Sequence, residues 1–204
     1  MAGTIFEQLS NEAKGRELSV RWYRSKINDL APRITAGEML AQGKSTATPN
    51  YGLLNLFNYK PLGPDRLKYY DMFPLVLPFK FHRNGFTGLN FHYLSIPMRI
   101  DLLRRLDAMF EEDAELYRLD SHSKGRVLAM TWSRIKGMRG VKPCVKRYRA
   151  MYVYSNFLKI GVHDMAAAVL LPVEKFYEGD LWTDKQGRVI SRDVWRDSRR
   201  ETYA

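Results

Sequence analysis

A tight hairpin signal near the middle of the chain is the feature that most limits the possible folds. The tetrapeptide His82-Arg-Asn-Gly85 separates two apolar stretches, residues 73–81 and 86–93. An Asn-Gly pair tolerates the positive φ angles that a tight turn between antiparallel strands requires. We therefore expect the two stretches to pair as neighbouring strands. Because Pro74 and Pro78 have no backbone N–H to donate, the first strand is predicted to lie at a sheet edge or to contain a bulge.

The remaining segments predict a mixture of helices and strands. Apolar residues at helical spacing predict helices from Thr4 to about Leu30 and from Arg99 to about Leu119. Strands are expected at Tyr51–Tyr59 and within Val145–Ile160, where aromatic residues alternate with other types. Between Ser191 and Glu201, Arg and Asp recur at the spacing of helical ion pairs.

These elements predict one α+β domain with a small twisted antiparallel sheet packed by one or two helices, and a barrel-like closure of the sheet remains an open alternative. Residues 1–50 are expected to form an N-terminal helical arm and linker, since residues 31–50 are rich in Gly, Ser, Thr, Ala and Pro. The core domain is expected to span residues 51–178. Residues 179–204 are expected to form a polar C-terminal tail.

The overall composition is that of a folded domain in a reducing compartment. Hydrophobic residues make up 45% of the chain, which argues against a disordered basic tail. The single cysteine, Cys144, excludes an internal disulfide. The N-terminus lacks the pattern of a signal peptide, and no run of 18 apolar residues occurs, so no contact with a membrane is expected.

The excess positive charge is concentrated in one window of the chain. Residues 121–163 contain ten Lys and Arg and no Asp or Glu. The whole chain has 33 basic and 22 acidic residues, so removing the window leaves 23 against 22. A local positive field can form a binding surface, and phosphate backbones are the polyanions that basic proteins most often meet.

We therefore predict a nucleic-acid-binding segment within this window. Its predicted contact residues are Lys124, Arg126, Arg134, Lys136, Arg139, Lys142, Lys146, Arg147 and Arg149. The last four lie within eight residues and, if they share a face, could contact several phosphates together. The alternatives are a solvated basic face or a face that meets an acidic neighbouring protein.

Aromatic residues in the same window have two interpretations. They could stack on exposed bases, as in proteins that bind single strands, or they could belong to the core, which is more common for aromatics at strand spacing. The residues concerned are Trp132, Tyr148, Tyr152, Tyr154 and Phe157.

Catalytic and cofactor sites are not indicated by the sequence. The segment Gly43–Thr46 resembles part of a phosphate loop, but the preceding Gly37 is one residue too distant and no strand leads into it. His82, His92 and Cys144 have no recognised zinc spacing. The carboxylates of Glu111–Glu115 cannot converge on one ion, since adjacent helix positions point in different directions. We expect a protein that is not an enzyme and needs no cofactor or metal.

Five stretches of the chain resemble a family of structural and head-completion proteins from contractile-tailed (myovirus) bacteriophages. The similarity is greatest to the DNA end protector proteins, and it covers roughly residues 50–200 in the same order. The stretches are Lys68–Pro78, Gly88–Leu94, Lys142–Tyr148, Ala168–Phe176 and Val194–Arg199. Within them, Pro74, Pro78 and Gly88 are expected to shape a twisted hairpin, and Asn90 or Asp71 to satisfy buried backbone groups.

The resemblance implies a non-enzymatic virion protein that binds the end of packaged double-stranded DNA and protects it from exonuclease, at the head–tail junction. Such a protein needs phosphate contacts and no base readout. The implied partners are the DNA end and other virion proteins of the portal, neck or tail, within an oligomeric assembly. The implied location is the virion, with the host cytoplasm during assembly. The alternative is a structural neck, tail or baseplate hub component that contacts virion proteins through its basic face.

Overall fold

The computed structural model describes residues 20–30, 35–42, 45–50, 52–112, 137, 141–161, 164–178, 188–189 and 191–203. The helices are α1 (Val20–Leu30), α2 (Ala36–Gln42), α3 (Ile96–Glu112), α4 (Met165–Leu170) and α5 (Ser191–Tyr203). The strands are β1 (Ser45–Thr46), β2 (Leu54–Leu56), β3 (Tyr69–Asp71), β4 (Leu75–His82), β5 (Gly85–Asn90), β6 (Val145–Arg149), β7 (Phe157–Ile160), β8 (Phe176–Glu178) and β9 (Arg188–Val189).

Two antiparallel sheets and the surrounding helices confirm the predicted α+β class. The large sheet has six strands in the order β1-β7-β2-β4-β5-β6, and the small sheet has the order β3-β8-β9. Among the described strands, β1 and β6 form the two edges of the large sheet, so that sheet is open rather than closed into a barrel. No helix in the described residues is long and apolar enough to cross a membrane.

The predicted hairpin is formed by β4 and β5. His82 pairs with Gly85 across the turn, and Phe81 pairs with Phe86. The register shifts between Pro78 and Lys80, which is the bulge that the prolines predicted. The edge position offered as an alternative is not found, because β4 pairs with β2 on its other side.

The two faces of the large sheet bury different side chains. Leu75 and Leu77 of β4 belong to the main hydrophobic core, whereas Val76 between them belongs to a second, aromatic cluster. This alternation follows from the period-two geometry of a strand. The main core also takes residues of α2, α3 and α4. The second cluster contains Tyr148 and Phe157, so the core interpretation is correct for these two aromatic residues.

Buried polar side chains join the small sheet to the large one. Asp71 of β3 accepts hydrogen bonds from the Phe73 backbone N–H (3.0 Å) and from the Asn90 side chain (3.2 Å). Asn90, at the end of β5, accepts from the His92 backbone N–H (3.0 Å). Both side chains therefore satisfy buried backbone groups, as the sequence suggested, and they fix β3 beside the hairpin.

Segments near both ends of the chain also contribute to the packing. In the stretch expected to be a linker, Ala36 and Met39 of α2 are buried in the main core, and β1 pairs with β7. In the stretch expected to be a polar tail, Val194 of α5 packs with Phe176. The helical ion pairs predicted there include Arg196 with Asp193 at 3.1 Å. The proposed domain boundaries stay a prediction.

Candidate nucleic-acid interface

Strand β6 presents arginines to solvent and buries the residue between them. Arg147 and Arg149 are exposed, whereas Tyr148 is 4% exposed and packs in the aromatic cluster. Tyr148 stacks against Phe86 of β5, with ring centroids 5.3 Å apart. Since successive strand residues point to opposite faces, burial of Tyr148 directs both arginines to the other face of the sheet.

The neighbouring strands add further basic residues to that face. In the register of β4, β5 and β6, Lys80 lies opposite Thr87, and Thr87 lies opposite Arg147. In the next row, Gly85 of β5 pairs with His82 of β4 on one side and with Arg149 of β6 on the other. Directly opposed residues of antiparallel strands share a face, so two rows of basic side chains cross the hairpin end of the sheet.

We call this surface the basic patch; it consists of Lys80, His82, Arg83, Arg147 and Arg149. Arg83 is exposed in the turn between β4 and β5. None of the five has a carboxylate within 4.0 Å in the described part of the chain. The arginines of α3 differ, because Arg104 and Arg105 both pair with Asp101, at 3.1 and 2.7 Å.

The electrostatic environment of His82 reflects the concentration of positive charge. Its Nε2 lies 2.8 Å from the hydroxyl of Thr87, the residue that pairs with Arg147, so the ring points toward the neighbouring row. Partial burial lowers the pKa of the imidazole, and the charges of Arg147 and Lys80 lower it further. A polyanion placed on the patch would oppose that charge effect.

A groove of about 520 Å³ opens beside the basic patch. Its walls are the turn of the β4–β5 hairpin, the residues that follow β1, and the segment between β6 and β7. His82 and Arg83 of the patch line it, and so does Ala150, which directly follows Arg149. Ala150 donates a backbone hydrogen bond to the Asn84 carbonyl (3.0 Å), which places it beside the hairpin turn.

The segment after β6 also exposes two large side chains. Met151 is 72% exposed and Tyr154 is 67% exposed, both within five residues of Arg149. An exposed aromatic ring next to cations is typical of surfaces that bind nucleic acid. Among those predicted aromatic residues that the structure describes, Tyr154 is therefore the most exposed, and Tyr152 is partly buried against the aromatic cluster.

Comparison with known proteins gives one match that covers most of the chain. The chain matches the family model described as Phage T4 terminal DNA protecting protein over residues 8–198. The chain belongs to this family. The resemblance to DNA end protector proteins is thereby confirmed over a longer stretch than the five sequence segments. No curated protein and no solved structure matches the chain.

In this member of the terminal DNA protecting family, the basic residues predicted around β6 do not share one face. Lys146 points away from Arg147 and lies over the Tyr93 ring, with its Nζ 4.0 Å from the ring centroid. Burial lowers the pKa of Lys146, and the negative charge of Glu201 in α5 partly offsets this by raising it. Lys146 therefore has a packing role in the described structure. Lys142 is exposed in a short 3₁₀ turn before β6.

The other predicted contact residues lie outside the described part of the chain. These are Lys124, Arg126, Arg134, Lys136 and Arg139, and the aromatic Trp132 lies there too. Their part in nucleic-acid binding stays a prediction.

The sequence analysis missed Lys80, His82 and Arg83 as members of the patch. They lie about 65 residues before Arg147 in the chain and join it only through strand pairing. The hairpin prediction contained a usable signal, since it placed His82 and Arg83 in the turn. The missing information was that β6 is the neighbour of β5.

A metal site is not found among the described residues, which contain no suitable group of three His, Cys, Asp or Glu. His82 and His92 lie beyond opposite ends of β5, roughly 20 Å apart along the strand. Burial raises the pKa of the Cys144 thiol to about 12, which disfavours the thiolate that zinc requires. The carboxylates considered as metal ligands, Glu111–Glu115, have no described side chains.

Proposed function

We propose that this chain binds the end of packaged double-stranded phage DNA and protects it by occupying the terminus. The basic patch is the observation that supports this proposal most directly. Five basic residues, from β4, β6 and the turn after β4, lie together without a carboxylate neighbour in the described structure. Such a surface contacts phosphates irrespective of sequence, as a DNA end of any sequence requires.

Protection by occupancy needs no chemistry on the DNA. An exonuclease must reach the terminal phosphodiester, so a protein bound there excludes it sterically. We therefore propose that the chain is not an enzyme. Incubation with linear DNA and Mg²⁺ or Mn²⁺ checks this, because a nuclease would shorten the DNA within hours whereas a protector leaves its length unchanged.

The central experiment neutralises the two exposed arginines of β6. We expect R147Q/R149Q to bind blunt linear duplex at least tenfold more weakly than the wild type at about 0.1 M salt, because two phosphate contacts are lost. Exonuclease protection should fall in parallel. Binding is measured by fluorescence anisotropy, and protection by the length of DNA that survives the exonuclease.

A matched control is available on α3. R104Q/R105Q removes the same number of exposed arginines, but from residues that already pair with Asp101. We expect this variant to bind and protect DNA like the wild type. Equal binding by R147Q/R149Q and R104Q/R105Q would show that the patch is not the DNA surface.

The structural alternative gives a different result in the same titration. If the patch instead meets an acidic virion protein, the wild type should bind duplex DNA weakly at both low and high salt. If it binds DNA phosphates, affinity should fall steeply as salt rises.

We also propose that the protein acts at the head–tail junction, where the DNA end and the portal, neck or tail proteins would be its partners in an oligomeric assembly. Labelling the protein in intact particles tests this placement. Label at the junction supports it, whereas label at the distal baseplate would favour a tail component.

A further inference from the structure

The groove beside the basic patch has the size and lining of a site for a small planar ligand. Its volume of about 520 Å³ lies within the range of about 300–1,000 Å³ that ligand pockets occupy. Phe81 contributes a partly exposed aromatic ring to the wall. That ring stacks on buried Phe86, with centroids 5.9 Å apart and planes 30° apart. The wall is therefore backed by a second ring and held in place.

Polar groups accompany the aromatic wall. Asn50 and Ser155 line the groove from the segments that face Phe81. The Asn50 Nδ2 donates to the Thr46 hydroxyl (2.8 Å), which orients the amide, and its second N–H and its oxygen can meet the edge of a base. No acidic residue lines the groove in the described structure, which removes the main source of repulsion for a nucleotide.

The groove opens on the face that carries Phe81 and Phe86, Arg147 and Arg149 lie on the other face, and the two surfaces meet at the hairpin turn. His82 and Arg83 belong to both surfaces, and the charge of Arg147 acts on His82. A strand end whose phosphates lie on His82 and Arg83 would therefore have its terminal base at the groove. The charge of the rim is complementary to a nucleotide, and the aromatic wall is complementary to a base.

We infer that the groove binds one unpaired nucleotide at the end of a DNA strand. This inference rests on the proposed function and adds to it a reason why ends are preferred over internal duplex. Taking an internal nucleotide out of the helix costs a few kcal/mol in lost pairing and stacking. A terminal nucleotide has only one stacked neighbour and costs less, so a groove of this kind selects termini whatever their sequence.

The test fills the groove without touching the patch. Ala47 and Ala150 are exposed residues of two different segments that line the groove, and A47W or A150W would each occupy the space of the base. A166W on α4 is the matched control, since Ala166 is exposed and does not line the groove. Linear duplex and a covalently closed circle of the same sequence are titrated with each variant.

We expect A47W and A150W to lose roughly tenfold in affinity for linear DNA, the scale of one base–aromatic stack, and to bind the circle like the wild type. A166W should bind both as the wild type does. Two variants on different walls guard against misfolding of one of them. Wild-type affinity for linear DNA in both filled variants would overturn the inference.

A direct readout uses 2-aminopurine, a fluorescent base, at the terminal position of the duplex or at an internal one. We expect wild-type protein to change the fluorescence of the terminal base only, and A47W to abolish that change. No change at either position, or an equal change at both, overturns the inference. Salt-insensitive wild-type binding with no exonuclease protection would instead reject the proposed function, and the groove inference with it.

Discussion

At the scale of single residues, a shift of one position along β6 separates an exposed cation from a packed one. Arg147 is exposed on the patch, whereas the preceding Lys146 lies over the Tyr93 ring on the opposite face. The two residues carry the same charge, so the charge window alone could not distinguish them. The distinction comes from Tyr148, whose burial fixes which face of the strand points inward.

His82 makes the basic patch sensitive to pH. Its pKa is lowered from 6.5 by partial burial and by the charges of Arg147 and Lys80, so it is neutral at pH 7.5. As the pH falls through that lowered pKa, His82 gains a positive charge, and bound phosphate favours the charged form. In the absence of DNA, the lowered pKa of His82 makes the folded protein less stable as the pH falls, because the unfolded chain binds this proton at a higher pH than the folded chain does.

We therefore expect wild-type affinity for linear DNA to rise roughly fivefold between pH 7.5 and pH 5.5, the equivalent of about 1 kcal/mol from one added phosphate contact. H82N keeps a polar side chain of similar size but does not titrate. It should bind like the wild type at pH 7.5 and show a smaller increase at pH 5.5. Anisotropy titrations at constant ionic strength measure this, and identical pH profiles would contradict the role given to His82.

At the scale of elements, local signals predicted the central hairpin and failed for short segments. The Asn-Gly turn and the prolines predicted β4, β5 and the bulge, because turn chemistry and the missing proline donor are properties of the local sequence. The segment containing α2 and β1 was expected to be a linker. Helix α2 has seven residues and strand β1 has two. They are stabilised by contacts with the main core and with β7, and local composition does not predict such contacts.

Gly88 allows β5 to approach β4 closely, because it has no side chain. A Cβ atom at this position would collide with the Val76 side chain and lie 2.8 Å from the Leu77 carbonyl oxygen. We expect G88A to lower the free energy of unfolding by about 1–3 kcal/mol, the cost of overpacking a close-packed interior. Chemical denaturation measures this change.

G137A is the matched control for G88A. A Cβ at Gly137 meets nothing within 4 Å in the described structure, so its effect should stay within about 0.5 kcal/mol. Equal stability of the two variants would mean that β4 and β5 separate easily to accept the methyl group.

At the scale of the whole molecule, the basic patch is a product of sheet order. The 121–163 window supplies two of its residues, and the hairpin supplies the other three. A linear scan of charge finds the first group but cannot place β6 next to β5, because that neighbour relation depends on long-range pairing. The sequence therefore predicted a basic segment, but not the other strand whose side chains lie beside it in the folded chain.

The two sheets are held together by Asp71, and this arrangement predicts how the molecule unfolds. Its carboxylate lies 2.8 Å from His92 Nδ1 and accepts from the backbone N–H groups of Phe73 and Lys175. D71A would leave these buried groups without an acceptor, each at about 1–3 kcal/mol. We expect D71A to lower the free energy of unfolding by about 3 kcal/mol or more.

The matched control is D197A, because Asp197 accepts from exposed Lys68 (2.7 Å) and from the Tyr69 hydroxyl (2.8 Å) near the surface. The Asp197 side chain is 16% exposed and that of Lys68 68%, whereas that of Asp71 is 1% exposed, so water can replace the bonds lost in D197A, and D197A should cost less than D71A. Urea unfolding followed by both circular dichroism and tryptophan fluorescence measures the stability and the cooperativity. Because Asp71 joins β3 to the hairpin that carries the patch, we expect one transition in the wild type. Separate transitions by the two probes, or equal losses in D71A and D197A, would show that the small sheet folds independently of the hairpin that carries the basic patch.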